Sequence, residues 1–317
     1  MNISVVIPCH NGAQWIGEAL ASVRAQSFSV NEVIVVNDSS TDASEEVIAL
    51  SGTADIVIRV DYRNAAAARN AGVAAASGDW VAFLDADDLW YPEHLANARD
   101  LLSGTSDVAC LAHNDQLRFE PDGSSRTVCR DTEPPVQVAS SGLSHRLFFD
   151  WFERSAWFFP GSLVVDRARF LAVGGFDPTQ VRRHDFEMFF RLIHGRSWAY
   201  HPEAGAIYRF MINPNSISAN ALETSYFTLR ALIKNEFLYQ GPTMDRATGH
   251  WALKVLRNSI GSSDKRLLGH VWRLASTRVS FIHWCLFWPL LRFPVVGRGA
   301  RHFALHLRNS GRPAVES

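Results

Sequence analysis

The sequence is poor in cysteine and has no long apolar run, and both absences exclude classes of protein. Its four cysteines, Cys9, Cys110, Cys129 and Cys285, show no paired spacing, so neither a disulfide framework nor a zinc site is predicted. Free thiols indicate a reducing compartment, for which the cytoplasm is the default. No stretch reaches the roughly 18 uninterrupted apolar residues of a membrane span, and residues 3–8 are typical of a strand and not of a signal peptide.

Acidic residues are absent from residues 265–312, which carry nine Lys and Arg. Since the formal net charge of the whole chain is −1, the other residues sum to −10. Residues 279–296 of this basic stretch are mostly apolar, but His283, Pro289, Arg292 and Pro294 interrupt them. Two interpretations stand side by side: peripheral contact of residues 265–312 with the inner face of the cell membrane, or a buried helix or dimer contact. No nucleic-acid-binding module is recognisable, so nucleic acid is not expected as a partner.

Strands and helices alternate along the first hundred residues. Apolar, β-branched runs at residues 3–7, 32–37, 55–60 and 80–84 predict buried parallel strands. The intervening segments predict helices, with Asn11 and Asp42 as N-terminal caps and Gly78 as a C-terminal cap. Further strands are expected at residues 107–114 and 162–166, and helices at 186–193 and from about Leu222 onward. This alternation predicts an α/β fold with a doubly wound sheet.

The loops after the four predicted strands carry the polar chemistry. In a parallel sheet they meet at one edge, where ligands bind. They read "PCHNG", "NDSSTD", "YRNAAAARN" and "DADD". The first contains a single glycine, Gly12, where the GxGxxG fingerprint needs three, which argues against a nicotinamide enzyme. The last packs Asp85, Asp87 and Asp88 together, and such mutual repulsion is relieved by a bound cation.

Six blocks of the sequence resemble, in order and spacing, the inverting family-two glycosyltransferases of the GT-A fold. They are "VVIPCHNG", "VVNDSSTD", "AAARNAG", "VAFLDADD", "VGGFD" and "RHDFEMFFRL", within about residues 3–218. A single DxD is weak evidence because it occurs by chance in many loops, whereas six ordered blocks are strong. The resemblance implies a doubly wound, mostly parallel GT-A sheet in a catalytic domain at residues 1–220, followed by a helical, basic region at 221–317.

The resemblance also implies the roles of the donor-side residues. Asp85 and Asp87 match the DxD pair, which holds the donor ribose and a divalent cation, Mn²⁺ or Mg²⁺. Asp38 matches an acid that contacts the nucleotide base, and Asn37 stands where an aspartate is common. The remaining donor-binding candidates are Arg69, Arg209, Pro8 and Asn11. Each of these residues also has a purely structural alternative. Asp38 would cap a helix, the DADD turn would cap a helix with Asp88 as the capping residue, and Arg69 would be a surface arginine.

On the acceptor side the resemblance implies a general base at the start of a helix. The family usually has a Glu-Asp pair there, and this sequence has His184 and Asp185. Asp185 is the expected base, because inversion requires removal of a proton from the attacking hydroxyl. His184 is grouped with it as a catalytic candidate that hydrogen-bonds to the acceptor or a phosphate, or alters the pKa of Asp185. Simple helix capping is the alternative for Asp185.

The expected activity is therefore metal-assisted transfer of a sugar, with inversion, from a nucleoside-diphosphate-sugar donor. The expected acceptor is a hydroxyl of a saccharide or lipid-linked glycan of the cell envelope or an exopolysaccharide. Two other classes stay open: a nucleotidyltransferase, although that class favours a basic, glycine-rich first loop, and a non-catalytic sugar-nucleotide-binding protein that would dispense with the base.

Overall fold

The protein's structure is a computed structural model that describes residues 1–103, 108–118, 125–127, 138–139, 159–209, 220–239, 241–259 and 265–275. The chain divides into two compact units, Met1–Ala219 and Asn220–Ser317. Two sequence predictions lie outside the described residues: those for the apolar stretch 279–296 and for the basic residues beyond 275.

The first unit is built on a sheet of ten described strands. Their order is β3-β2-β1-β4-β9-β6-β10-β5, with β7 beside β6 and β8 beside β10. The first four of that order are mutually parallel, as are β6 and β10, whereas β9 runs antiparallel to both of its neighbours. The strands are β1 Ile3–Cys9, β2 Glu32–Asp38, β3 Ile56–Val60, β4 Trp80–Phe83, β5 Leu89–Trp90, β6 Val108–Arg118, β7 Ser125–Thr127, β8 Val138–Ala139, β9 Leu163–Asp166 and β10 Ser197–Arg209.

Six α-helices in the described part of this unit flank the sheet, and a short 3-10 turn at Pro160–Ser162 precedes β9. They are α1 Ile16–Arg24, α2 Ser44–Ser51, α3 Ala65–Ala75, α4 His94–Ser103, α5 Arg167–Ala172 and α6 His184–Ile193. One face of α1 is apolar and buried, and it packs in one core with β1, β2 and α4. The mostly parallel α/β fold predicted from the alternating runs is confirmed.

The second unit consists of helices in its described part, as predicted. They are α7 Ala221–Asn235, α8 Pro242–Ser259 and α9 Lys265–Ala275. Asn220 caps α7, because its side-chain oxygen accepts hydrogen bonds from the backbone N–H groups of Leu222 and Glu223. Among the described residues, no helix combines the length and apolarity needed to cross a membrane.

Three predicted caps are wrong, because long-range contacts recruit these residues. Helix α1 begins only at Ile16, and Asn11 instead adopts a left-handed backbone in the preceding loop. Helix α3 is capped by Ala76, while Gly78 lies so close to Ser4 that an added Cβ would stand 2.8 Å from the Ser4 backbone nitrogen. Asp88 lies six positions before the start of α4; it is buried and accepts a hydrogen bond from the backbone N–H of Arg209.

The predicted cap of α2 is only half right, because the cap position is Ala43 and Asp42 is the residue before it. Asp42 accepts a hydrogen bond from the backbone N–H of Ser44 at the helix start. Glu45 does not complete a capping box; its carboxylate pairs with Arg59 of the neighbouring strand β3. The second oxygen of Asp42 accepts from the Ala13 backbone N–H at 3.0 Å, so this carboxylate also joins the first two loops.

A buried ion pair fixes α6 against the turn that precedes it. Arg191 donates to the fully buried Glu187 carboxylate at 2.6 Å and to the backbone oxygens of Val173 and Gly175. Arg191→Met would leave the Glu187 carboxylate buried without its arginine, so we expect the free energy of unfolding to fall by about 3–5 kcal/mol. Chemical denaturation measures this. The matched control is Arg59→Met in the exposed pair with Glu45, where little or no change in the free energy of unfolding is expected; equal losses in both variants would contradict the prediction.

Candidate functional site

The loops after β1 and β2 are tied together by Asn11. Its backbone N–H donates to the Ser40 hydroxyl at 3.0 Å, and its side-chain oxygen accepts from the Thr41 backbone N–H at 2.8 Å. Pro8, the other candidate of the first loop, lies inside β1 opposite Val36 of β2. Both residues therefore shape the carboxyl edge of the sheet where the predicted site lies.

Asp38 ends β2 and organises the loop after β3. One carboxylate oxygen accepts from the backbone N–H groups of Tyr62 and Arg63, at 2.7 and 2.8 Å, and the other accepts from Asn64 at 2.8 Å. These bonds join neighbouring loops, so Asp38 is not a cap of its own helix. The carboxylate is 3% exposed, and three of its roughly four lone-pair positions are used. Any contact with a nucleotide base would have to use the remaining lone-pair position of this carboxylate.

Among the residues that the structure describes, four non-glycine residues have a left-handed backbone, and all lie in loops of this region. Asn11, Ser39 and Arg63 follow β1, β2 and β3, and Arg183 directly precedes α6, with φ values between 49° and 58°. Left-handed backbone is costly for such residues and persists only where the surroundings enforce it. The loops are thus held in specific conformations by the cross-loop hydrogen bonds.

Three carboxylates of "DADD" occupy different environments. Asp85 is partly exposed and pairs with Arg69. Asp87 is partly buried, and burial together with the nearby charge of Asp85 raises its pKa to about 6. Asp88 is buried; one oxygen accepts from the Arg209 backbone N–H at 2.9 Å, and the other has no hydrogen-bond partner in the part of the chain that the structure describes. Burial raises the pKa of Asp88 well above its usual value.

Arg69 connects the DADD loop to the start of α6. It projects from α3, and its side chain is only 4% exposed, which excludes the surface-arginine alternative. One terminal nitrogen donates to Asp85, and the other lies 2.8 Å from Nε2 of His184. The guanidinium also lies over the Phe176 ring, 5.6 Å from its centroid. Arg69 thus contacts both a donor-side candidate, Asp85, and an acceptor-side candidate, His184.

Asp185 lies at the first turn of α6, next to His184. Burial raises the pKa of its carboxyl group, and the positive charge of Arg183 opposes that rise. The cap position of α6 is Arg183, not Asp185. Asp185 therefore has the properties of a proton acceptor whose basicity is enhanced by burial.

Arg209 ends β10 and is buried. One terminal nitrogen pairs with Glu18 of α1, and the guanidinium lies 4.9 Å from the centroid of the Trp15 ring. Its other two nitrogens are buried with no hydrogen-bond partner among the described residues. Such donors suit an anionic ligand.

Sequence reasoning missed Glu18, Trp15 and the buried position of Asp88. Glu18 and Arg209 are 191 positions apart, so no local spacing could have paired them. The signal that existed was Glu18 in the first turn of a helix at the ligand-binding edge, a position equally typical of a solvent-exposed acid.

The carboxylates of the DADD loop could form part of a metal site. Among the described residues, no group of three or more His, Cys, Asp and Glu could hold a metal ion by itself. Mg²⁺ is commonly bound by one or two carboxylates together with phosphate oxygens and water. Asp85 and Asp87 fit that second kind of site, since burial and the nearby charge of Asp85 raise the pKa of Asp87, and a cation would relieve both the loss of solvation and the repulsion.

Comparisons with solved structures place the fold in a known class. TarS of S. aureus, residues 1–349, has a TM-score of 0.64 and 16% identity, covering 99% of this chain and 93% of that one. The mannosyltransferase PcManGT from Pyrobaculum calidifontis, in complex with GDP-Man and Mn²⁺, has a TM-score of 0.56 and 17% identity, covering 96% and 87%. The fold is the GT-A fold of glycosyltransferases.

Sequence comparisons give the family. Residues 4–120 match the family "Glycosyl transferase family 2". An uncharacterized glycosyltransferase of Nostoc sp. is 39% identical over 132 residues, 40% of each chain. The amylovoran biosynthesis glycosyltransferase AmsB of Erwinia amylovora is 30% identical over 200 residues, 60% of this chain and 64% of that protein. The chain carries a family-two glycosyltransferase domain, and it spans between two fifths and two thirds of the length of these relatives.

Proposed function

We propose that the protein transfers a sugar from a nucleoside-diphosphate-sugar donor to an acceptor hydroxyl, with inversion, by direct displacement. The observation that carries this proposal is the joint contact of Arg69 with Asp85 and His184. It brings the DxD loop and the start of α6 to one edge of the sheet, as a displacement between a donor and an acceptor requires. On this proposal residues 1–220 form the catalytic domain.

The donor is proposed to lie along the loops that Asp38, Asn11 and Asp85 organise. The buried, unpartnered nitrogens of Arg209 are suited to phosphate oxygens, and Arg69 contributes a second positive charge near Asp85. Solved GT-A neighbours include TarS in complex with UDP-GlcNAc and PcManGT with GDP-Man.

Asp85 and Asp87 are proposed to hold Mn²⁺ or Mg²⁺ together with the donor diphosphate. When bound, the cation would stabilise the negative charge of the departing diphosphate. The protein's own contribution is to hold Asp87 partly buried beside the charge of Asp85, where its ionised form is unfavourable without a cation.

Asp185 is proposed as the general base. Its carboxylate would accept the proton of the acceptor hydroxyl as that oxygen attacks the anomeric carbon, on the face opposite the leaving diphosphate. A bond forms between the acceptor oxygen and the anomeric carbon while the bond to the diphosphate breaks. Burial of Asp185 raises its pKa and so makes the carboxylate a stronger base than an exposed aspartate.

The proposed acceptor is a saccharide or a lipid-linked saccharide. The relative AmsB takes its name from amylovoran biosynthesis, which supports a role in the assembly of a polysaccharide. Contact of residues 265–312 with the inner face of a membrane stays a prediction, since most of these residues lie outside the described part of the chain.

A thermal-shift screen combined with a release assay tests the proposal. UDP-, GDP- and dTDP-sugars are added with and without Mn²⁺, and the release of nucleoside diphosphate is then measured with candidate glycan acceptors. Ligand at about 100 times its Kd adds roughly 2.7 kcal/mol, which corresponds to a rise in Tm of about 5–10 °C.

The release assay separates the three candidate classes. A transferase releases nucleoside diphosphate faster when the right acceptor is present. Stabilisation by a sugar nucleotide without release under any acceptor would favour the binding protein. Formation of pyrophosphate from a nucleoside triphosphate and a sugar phosphate would favour the nucleotidyltransferase.

A further inference from the structure

The guanidinium of Arg69 is shared between one charged and one neutral partner. Nη2 donates to Asp85, and Nη1 lies 2.8 Å from Nε2 of His184, which is 115 positions away in the sequence. A guanidinium has donors only. Nε2 of His184 must therefore be the unprotonated acceptor, and the imidazole carries its proton on Nδ1.

The imidazole is held in this state by its surroundings. Its ring meets the edge of Phe176, with 5.5 Å between centroids, and the backbone of Phe176 is fixed by two hydrogen bonds with the Asn70 side chain, at 2.8 and 2.9 Å. Burial and the nearby charge of Arg69 lower the pKa of His184 to about 3. The imidazole is thus neutral throughout the physiological range.

We propose that His184 is a positioning residue that holds Arg69 against Asp85 without adding negative charge to the donor site. This rests on the proposed function of the site and replaces direct contact of His184 with the acceptor. Arg69 lies deep in the protein, and its Nε already has no hydrogen-bond partner among the described residues. A missing acceptor at Nη1 would leave a further N–H group buried and unsatisfied. His184 supplies that acceptor from the helix that also carries Asp185, so the base and the donor site are anchored to the same guanidinium.

Neutrality at position 184 has a second consequence for the site. A carboxylate there would compete with Asp85 for Arg69 and would stand beside Asp185, raising the pKa of the base further. The charged groups that act on Asp185 are Arg183, Arg69 and Asp85. Because the imidazole is neutral, the positive charge of Arg69 remains available to balance the negative charge of Asp85.

Three substitutions separate positioning from proton transfer. His184→Leu removes the acceptor, His184→Gln keeps a neutral oxygen acceptor, and His184→Glu adds a charge. His250→Leu is the matched control, since His250 is exposed on α8 in the second unit. The readouts are Tm without ligand, the Kd of UDP, GDP and dTDP with Mn²⁺, and the pH profile of kcat/KM.

We expect His184→Leu to lower the Tm of the ligand-free protein by about 3–8 °C and to weaken nucleotide binding about tenfold or more. His184→Gln should recover at least half of both losses and retain the acid limb of the pH profile. His184→Glu should move that limb to higher pH.

Two results would overturn the proposal. In the first, His184→Gln is as impaired as His184→Leu and loses the acid limb of the pH profile, which would make His184 a proton-transfer residue. In the second, His184→Leu loses no more Tm than the His250→Leu control. If no nucleotide binds to the wild type, the proposed function fails. The comparison of Tm values would still decide whether His184 anchors Arg69.

Discussion

Asp185→Asn is expected to lower kcat for sugar transfer by about 100- to 10,000-fold, the usual contribution of a general base. The amide has the same shape as the carboxylate but cannot take the proton of the acceptor hydroxyl. Donor binding, measured as the Kd of the nucleoside diphosphate with Mn²⁺, should change by less than about twofold, because the proposed donor contacts lie on other loops. Steady-state and binding measurements on the same preparation give both numbers.

The pH dependence supplies an independent check on Asp185. Its pKa is raised above the usual value by burial, so kcat/KM should fall as the pH falls through this raised pKa, and the acid limb should lie above the pH range of an exposed aspartate. Asp185→Asn should lose that limb. Asp100→Asn, on the exposed surface of α4, is the matched carboxylate-to-amide control. Residual turnover in Asp185→Asn that keeps the wild-type pH profile would rule out Asp185 as the base.

Asp87→Asn is expected to have opposite effects on ligand-free stability and on activity. Turnover with Mn²⁺ should fall by about 100-fold or more, since a cation that stabilises the leaving diphosphate contributes several kcal/mol. The ligand-free variant should be more stable than the wild type at pH 8. Burial and the charge of Asp85 hold the pKa of Asp87 near 6 in the folded protein, so its ionised form destabilises the fold, and the neutral amide removes that cost.

The sign of this effect follows from proton binding in the two states. Between about pH 4, the pKa of an unperturbed Asp, and about pH 6, the folded protein keeps a proton that the unfolded chain has released. Stability therefore falls as the pH rises through that window, and the cost is complete above it. Allowing for partial exposure, the cost is about 1–2 kcal/mol, or a rise in Tm of about 2–6 °C for the variant.

Calorimetry at pH 8 and at pH 4, with and without Mn²⁺ and nucleotide, tests both the effect on ligand-free stability and the effect on ligand binding. The gain in Tm of Asp87→Asn should disappear at pH 4, where the wild-type carboxyl is already protonated. Ligand-induced stabilisation should be lost in the variant and kept in Asp100→Asn. Unchanged turnover in Asp87→Asn would refute the metal role, whatever the effect on stability.

The sequence by itself determined the architecture of the first unit. Strands buried on both faces read as continuous β-branched runs, and the four predicted runs became β1 to β4 within two residues at either end. The shared edge of their loops follows from parallel pairing alone. The blocks that carry Asp85, Asp87 and Asp185 were recognisable because each directly follows or begins a regular element.

Only the tertiary structure decided what these residues contact. Local rules assigned Asn11 and Asp88 to helix caps, whereas Asn11 bridges two loops and Asp88 accepts from the backbone of Arg209, 121 positions away. Arg69 could not be told from a surface arginine until its contacts with Asp85 and His184 were seen. A hydrogen-bond donor takes whichever acceptor the fold brings within reach, and the partners of a buried charge are set by how strands and helices assemble, which spacing along the chain does not encode.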